Sequence, residues 1–578
     1  MVDTVREIER KYEAEGGASE LPPLPDLTGV DGVTAVIDQG TARLDAVYYD
    51  TAGRRLAADG ITLRRRTGGD DAGWHLKLPV APGVRDEVRA PLGESVPRRL
   101  AALVRSRVRD AELVPVVRIR SQRDVHQLLG ADGEPVAEVS VDRVTAERPD
   151  TGATAAWAEV EVELGAGGDP AVLDAVEAAL TGGGAGLRRS AAASKLARAL
   201  AETEEPRETA GGKAGAGKKA KGGKAGKEGR AGGKAKAGGK TKAGKDSKDG
   251  GKAKGGGKAK GGKSGKSGKS GKKKPAGQNR PEPADSPEAA APAARPAADV
   301  VLDYVRAQVT ALVELDPAVR LDQPDAVHQM RVASRRLRST FRSYRAVLDR
   351  TRTDPVAGEL RWLAAELGVD RDREVLTERI HAALVELERP LVLGPVRGRL
   401  RTWSTARRTG SRRRIVAVLD GRRYLALLDA LDGLLADPPL RAAAVRPAEP
   451  VLRKALARDY RRFADSLQQV FDLAPGPDRD TAIHETRKSA KRARYAAEVA
   501  RPVLGKEAKT VTSLMREVQD LLGDYQDGVL ARAALREIAQ QAQGAGEPSF
   551  TYGVLYAREE ARAAELRDRL PWLSQKHL

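Results

Sequence analysis

The 578-residue sequence predicts a multidomain protein: an antiparallel β domain closed around a polar lumen, a Lys/Gly-rich linker, and an all-α domain. Three observations predict it. Residues 1–202 alternate charged with apolar side chains in segment after segment, and the charges sort by segment. Residues 203–298 are Gly, Ala, Lys, Ser and Pro with almost no larger apolar residue. Residues 299–572 are Leu-, Ala- and Arg-rich at helical spacing and contain an internal repeat.

The first segment sets the pattern. In Glu7-Ile8-Glu9-Arg10-Lys11, a strand would send Glu7, Glu9 and Lys11 to one face. Two carboxylates suit a hard divalent cation and the ammonium suits phosphate, so this face can take both. A solvated strand edge would read the same. Later segments add to it. Arg64 and Arg66 share a face, as do His75 and Lys77; Arg85, Glu87 and Arg89; Arg118 and Arg120; Glu138, Ser140 and Asp142; and Glu159, Glu161 and Glu163. An open sheet with one wet face alternates in this way too. The sorting weighs against the open sheet without excluding it. Acids dominate the first and last segments and cations the middle ones, so closing the sheet sets carboxylates across from cations. His75 and His126 read as structural or surface residues.

These residues resemble the CYTH domain, the triphosphate tunnel metalloenzyme fold. Glu7, Glu9 and Lys11 meet its opening Glu-x-Glu-x-Lys, and Tyr48-Tyr49-Asp50-Thr51 leads through Leu56 and Gly60 to Leu63–Arg66 as in that family. Lys77, Glu87, Arg118, Arg120, Glu138, Asp142, Glu159, Glu161, Glu163 and Ser194-Lys195 follow in the family's order. The resemblance implies an eight-stranded antiparallel tunnel acting on triphosphates. Glu7, Glu9, Glu159, Glu161 and Glu163 would hold Mg²⁺ or Mn²⁺, with Glu7, Glu9 and Lys11 at the catalytic centre. Lys11, Arg64, Arg66, Lys77, Glu87, Arg118, Arg120 and Lys195 would form the triphosphate site, its arginine forks fixing orientation. The residues do not single out a general base. Hydrolysis of inorganic tripolyphosphate is the leading expectation. Thiamine triphosphate hydrolysis, ATP cyclisation in the same tunnel, and a silent tunnel in a polyphosphate-binding protein are the rivals.

The linker cannot bury enough surface to offset its chain entropy, so disorder is expected from 203 to 298. Units such as Gly-Gly-Lys-Ala and Ser-Gly-Lys recur between Lys213 and Lys274. They read either as a soluble tether or as a polycationic arm that holds polyphosphate or contacts DNA without sequence preference.

The helical segment repeats itself. His328-Gln-Met-Arg331 with Arg335 and Arg338 is matched by His484-Glu-Thr-Arg487 with Lys491 and Arg494. Each is followed by a Leu-Gly pair expected to form a turn, Leu367-Gly368 and Leu522-Gly523. On a helix, His328, Arg331, Arg335 and Arg338 fall within about 80° of arc, while Met330, Leu337, Phe341, Tyr344 and Leu348 face a core. No acid or second histidine lies four residues on from either histidine, which argues against zinc. This half resembles the CHAD domain, which implies two four-helix bundles and a basic channel for inorganic polyphosphate. Carried onto this chain, the channel is His328, Arg331, Arg335, Arg338, His484, Arg487, Lys491 and Arg494, with Arg458 and Arg461 on a further basic stripe.

Composition narrows the class. The net charge of +20 calls for an anionic partner. Zero cysteines exclude disulfides and thiolate chemistry. Aromatics are 3% of the chain, too few for base-stacking platforms. No apolar run reaches membrane-spanning length and the N-terminus is charged at once, so a cytoplasmic protein is expected, at polyphosphate granules if the helical half binds that polymer.

Overall fold

The computed structural model describes residues 4–15, 21–182, 186–204, 295–368, 371–405 and 408–570. The disorder and the polyphosphate or DNA contact expected of the linker fall outside these residues, apart from the linker's ends.

The N-terminal half is an antiparallel barrel. Its strands are β1 (Thr4–Ala14), β2 (Ala35–Asp50), β3 (Thr62–Thr67), β4 (Gly73–Ala81), β5 (Val84–Ala90), β6 (Val114–Leu129), β7 (Pro135–Glu147) and β8 (Thr154–Leu164), with a short β9 (Leu187–Arg189). Neighbours run β5-β4-β3-β2-β6-β7-β8-β1, and β1 returns to β5, closing eight strands; β9 extends β1. Closure depends on β1 serving two partners. Its first half pairs with β5, Glu7 opposite Arg85, and its second half pairs with β8, Glu9 opposite Glu163 and Lys11 opposite Glu161.

Four helices belong to this half: α1 (Arg55–Ala58), α2 (Arg98–Val108), α3 (Ala171–Thr181) and α4 (Lys195–Glu202). Outward apolar residues are covered from outside. Leu100, Leu103 and Val104 of α2 pack on Leu63, Trp74, Leu76 and Val88. Val172, Leu173 and Val176 of α3 pack on Tyr12, Val139, Val160 and Val162. Helix α4 does something different. Leu196, Ala199 and Leu200 pack on Ala46, Tyr48, Val117, Ile119, Val144, Ala146 and Trp157. By strand alternation these are inward positions, so α4 fills one end of the barrel and leaves the charged part of the lumen beyond it. The Ser194 side chain caps α4 by accepting from the Ala197 N–H at 3.1 Å, which sets Lys195 at its first turn.

The C-terminal half is helical: α5 (Ala297–Arg320), α6 (Ala326–Ser343), α7 (Arg350–Glu366), α8 (Arg371–Val385), α9 (Val396–Thr405), α10 (Arg408–Asp420), α11 (Arg422–Ala436), α12 (Ala448–Asp472), α13 (Pro477–Gly544) and α14 (Phe550–Asp568). Met330, Leu337, Phe341, Tyr344 and Leu348 are buried in a core shared by α5, α6, α7 and α11 with parts of α12 and α13. Two further cores join α12, α13 and α14, and α8, α9, α13 and α14. Helix α13 is broken at Gly505, whose φ of 49° lies in the left-handed region glycine tolerates.

The two Leu-Gly pairs differ from expectation. Leu367-Gly368 does end α7, whereas Leu522-Gly523 lies inside α13. Both glycines serve close approach. A Cβ on Gly368 would come within 2.7 Å of Arg331 Nη2, and one on Gly523 within 2.8 Å of Arg487 Nη2. The repeat therefore sets an arginine across a glycine twice.

Candidate active site

Inward residues of β1, β3, β4, β5, β6, β7 and β8 line a cavity of about 410 Å³, a size usual for small-molecule sites. Its wall is mostly charge. Glu7, Glu9, Lys11, Arg64, Arg66, Lys77, Glu87, Glu161, Glu163 and Lys195 are all on it, so most of the residues expected from sequence meet in one place.

At one side the carboxylates Glu7, Glu9 and Glu163 lie together, and cations pair with the first two. Glu7 accepts an ion pair from Lys77 at 2.5 Å, and Glu9 from Lys11 at 3.2 Å and Arg85 at 3.6 Å. Burial, joined by Glu87, raises Glu7 above the usual carboxylate range despite Lys77. Burial with Glu7, Glu9 and Glu161 pushes Glu163 up to about 7. Burial would raise Glu9 as well, but Lys11, Lys77 and Arg85 outweigh it and hold it low.

Across the lumen the shift reverses. Burial, with Arg64 and Arg123 beside it, pushes Arg66 down to about 9 even though it pairs with Asp71. Arg64 donates to the Tyr48 hydroxyl at 3.3 Å. Burial alone would raise that phenol; Arg64, Lys195 and Lys77 bring it below the usual tyrosine value. One side thus holds a carboxylate raised by acidic neighbours, and the other a guanidinium lowered by cationic ones.

Between them lies a compensated knot. The Lys195 ammonium contacts Asp142 at 2.9 Å, Glu159 at 2.8 Å and Glu161 at 2.6 Å, and Arg123 bridges Asp142 at 2.7 Å and Glu161 at 2.6 Å. Burial opposes the charge on Glu161, yet Lys11, Lys195 and Arg123 keep it well below the usual range. Asp142, Glu159 and Glu161 bring oxygens within 4.8 Å of one another, the spacing of a metal site. The ammonium of Lys195 already fills that space. Asp142, Glu159 and Glu161 are the described carboxylates whose spacing fits a cation, and Glu7, Glu9 and Glu163, the last raised by its acidic neighbours, add oxygen donors of the kind a hard divalent cation takes.

Two expectations change. Arg118 and Arg120 are on the outer face of β6, not in the lumen; Arg118 pairs with Asp45 at 2.5 Å and Arg120 with Glu147 at 3.3 Å. At their level the inward positions are Val117 and Ile119, packed on α4, and the cation that enters the lumen from β6 is Arg123. Glu159, expected as a metal ligand, is 2% exposed on the inward face of β8, takes the Trp157 Nε1–H at 2.7 Å as well as Lys195, and belongs to the close group of carboxylates with Asp142 and Glu161. Glu87 is an anion among cations rather than a phosphate contact. It accepts from His75 Nδ1 at 2.9 Å and pairs with Arg89 and Lys77. Burial with Arg64 and Arg66 holds His75 below the usual imidazole value, and its ring sits between two acceptors, Glu87 at Nδ1 and the Asp71 carbonyl at Nε2, 2.8 Å away. Sequence reasoning missed Arg123, Tyr48, Arg85 and Gln127 as lumen residues; a correct face assignment for β6 would have found Arg123 and Gln127 together.

In the helical half the two basic stripes are neighbours. Burial and the cations Arg487, Arg335 and Arg494 push Lys491 down to about 7, so Arg335 of α6 and Lys491 of α13 share one field. Burial with Arg361, Arg335 and Arg342 likewise lowers Arg338. His484 is partly buried and lowered by burial, Lys488, Arg487 and Lys491. His328 and Arg331 are on the same α6 stripe, and Arg494 stacks on Tyr495 with its guanidinium 4.9 Å from the ring centre. Arg458 is occupied locally, donating to the Ser343 carbonyl at the end of α6, and Arg461 is exposed beside its own helix backbone. Arg458 acts on Arg492 of α13, whose pKa burial, Arg342, Arg462 and Arg458 lower.

A family model for the CYTH domain matches residues 6–190, and one for the CHAD domain matches residues 303–536. The uncharacterized protein Rv2226 of Mycobacterium tuberculosis, strain ATCC 25618 / H37Rv, is 35% identical over 98% of this chain and 94% of its own length. Among solved structures, PptA from Streptomyces chartreusis is 21% identical with a TM-score of 0.42, over 49% of this chain and 100% of its own. The CHAD domain from the plant Ricinus communis is 23% identical with a TM-score of 0.40, over 49% of this chain and 93% of its own.

Proposed function

The chain belongs to the family that joins a CYTH domain to a CHAD domain, and from that premise we propose that its barrel hydrolyses inorganic tripolyphosphate with Mg²⁺ or Mn²⁺ while its helical half binds polyphosphate. The observation that carries this reading is the pair of opposed shifts in the lumen. Glu163 is pushed up to about 7 by neighbouring acids and Arg66 down to about 9 by neighbouring cations. A divalent cation beside the first and a polyanion beside the second would relieve both, and a metal triphosphate supplies both at once. The lining is mostly charge, with Tyr48 its one aromatic and Val5, Pro135, Ala137, Leu164 and Ala166 its apolar part, a balance that favours an all-phosphate substrate.

Phosphoryl transfer needs positioning and charge stabilisation more than covalent help. Arg64, Arg66, Arg123 and Lys77 bind and orient the phosphate chain, and forked guanidiniums restrict its rotation. Lys11 stands between Glu9 and Glu161 and keeps both ionised. Glu7, Glu9, Glu161 and Glu163 would hold the divalent ion, which when bound supplies Lewis-acid polarisation of the phosphoryl oxygens. Lys195 stays with its three carboxylates and fixes the wall. In the helical half, Arg335, Arg338, Arg487, Lys491 and Arg494 with His328, Arg331 and His484 form the surface for the longer polymer, whose phosphates would relieve the mutual repulsion felt by Lys491.

The test is phosphate release from tripolyphosphate, ATP and thiamine triphosphate with each metal, in the full chain and in Glu7→Gln/Glu9→Gln. Turnover should be greatest on tripolyphosphate and fall by more than ~100-fold in the double variant. Retained turnover in that variant defeats the metal assignment. Faster hydrolysis of thiamine triphosphate, or a cyclic product from ATP, defeats the substrate. No turnover with strong polyphosphate binding would leave a binding protein.

A further inference from the structure

Helix α5 contains Pro317 four residues after Val313. Proline has no N–H, so the Val313 carbonyl has no intrahelical donor, although its neighbours in the helix do. The donors come instead from the barrel half. Arg107 Nη1 of α2 donates to this carbonyl at 3.2 Å and Ser106 Oγ at 3.4 Å. Ser106 is fully buried and the Arg107 side chain is 6% exposed, so the donors are held in place beside a cleft of about 700 Å³ that Val313 and Pro317 also line.

The contact is anchored on both sides. Arg107 Nε also donates to Asp59 at 3.0 Å, just past α1, and Arg55 of α1 donates to the Val108 carbonyl at 3.2 Å. Next along the chain Arg109, in a left-handed conformation with φ of 60°, reaches Asp429 at 3.1 Å and Asp432 at 2.8 Å on α11. An arginine tolerates that backbone only where its surroundings compensate it, and here two carboxylates of the helical half do so. Leu321, at the end of α5, packs against the core formed by Leu100, Leu103 and Val104. A carbonyl freed by proline, a strained arginine and an apolar contact all meet at one face of α2.

We propose that this face is a built docking surface, whose partner is the chain's own helical half, and that the two halves hold together through it without the segment 205–294 that joins them. Pro317 makes the socket and Arg107 fills it; Arg109 fixes the angle by gripping α11. The catalytic barrel and the polyphosphate-binding helices then form one body, and α1, which leads into the strand carrying Arg64 and Arg66, is tied by Arg107 to α5.

The experiment places a specific protease site between residues 205 and 294 of the full chain and cleaves the folded protein. In gel filtration at physiological salt the two fragments should co-elute. Arg107→Glu/Arg109→Glu should release them, weakening association by at least ~100-fold, because it sets two new acids beside Asp59, Asp429 and Asp432 and leaves the Val313 carbonyl bare. Pro317→Ala guards against misfolding as an explanation: it restores the α5 hydrogen bond, favours the helix, and should still weaken association several-fold by closing the socket. Separation of the cleaved wild-type fragments overturns the proposal, and so does undiminished association in both variants. The readout involves no turnover, so it stands apart from the triphosphatase reading.

Discussion

Arg118 and Arg123 lie on one strand an odd number of positions apart, so they point to opposite faces, and that parity decides their fates. Arg123 spans Asp142 and Glu161 inside the lumen; Arg118 pairs with Asp45 outside. Replacing Arg123 by alanine should lower kcat/KM for tripolyphosphate by ~100-fold or more, since it removes a charge that works in a dry site. Arg118→Ala should leave kcat/KM within about threefold, because an exposed ion pair contributes little. Steady-state kinetics on both variants checks the pair. The Arg-Ile-Arg run of residues 118–120 shows alternation plainly, but alternation has no sign: it says that 118 and 120 agree, not which way they face. The assumption that charge points inward holds for β1, β3, β4, β5 and β8. It fails on the stretch of β6 where the inside is plugged by α4 and therefore apolar.

Helices α6 and α13 show what a repeat conveys and what it hides. Spacing alone finds both basic stripes and the apolar faces opposite them. It does not reveal that Gly523 is helical, because glycine before an expected loop and glycine under an arginine look alike in one dimension. The distinction is testable. Gly523→Ala should leave thermal stability unchanged or slightly higher, as alanine is favoured over glycine within a helix by ~1 kcal/mol. The new methyl would displace the Arg487 guanidinium and weaken polyphosphate binding several-fold, read by titration calorimetry. Lys491 adds a pH signature. Its ammonium is pushed down to about 7 from an ordinary 10.5 by burial and by Arg487, Arg335 and Arg494. Polyphosphate stabilises the charged form, so binding above pH 7 should take up protons and affinity should fall between pH 6 and 9. Lys491→Arg, always charged, should flatten that fall. Stability moves the other way. Between about 7 and 10.5 the unfolded chain carries a proton that the folded chain has lost, so this group's contribution to stability rises with pH across the window.

For the molecule as a whole, like charges are buried in two places, and each should behave as a ligand-dependent weakness. Tripolyphosphate with Mg²⁺ at ~100 times its dissociation constant should stabilise the native state by ~2.7 kcal/mol, and Glu7→Gln/Glu9→Gln should abolish that shift in a melting experiment. The order of barrel and helices was legible from composition and periodicity. The contact between the two halves was not, because a proline inside a helix reads as a defect until the donor that answers it is seen across a gap of some two hundred residues. No helix among the described residues is long and apolar enough to cross a membrane.

The opening strand has two neighbours, one made early and one made late. Ribosomal synthesis delivers Glu7 and Glu9 first, and β5 soon after, yet Glu163 emerges only with β8. Until then the stave has a free edge, and the carboxylates gathered near Glu9 are incomplete. Completion of the wall and assembly of its acidic side are therefore a single late step governed by long-range pairing, which is slow. A nascent chain halted before that point would have neither a closed barrel nor an assembled acidic side, and an exposed strand would be its most vulnerable part.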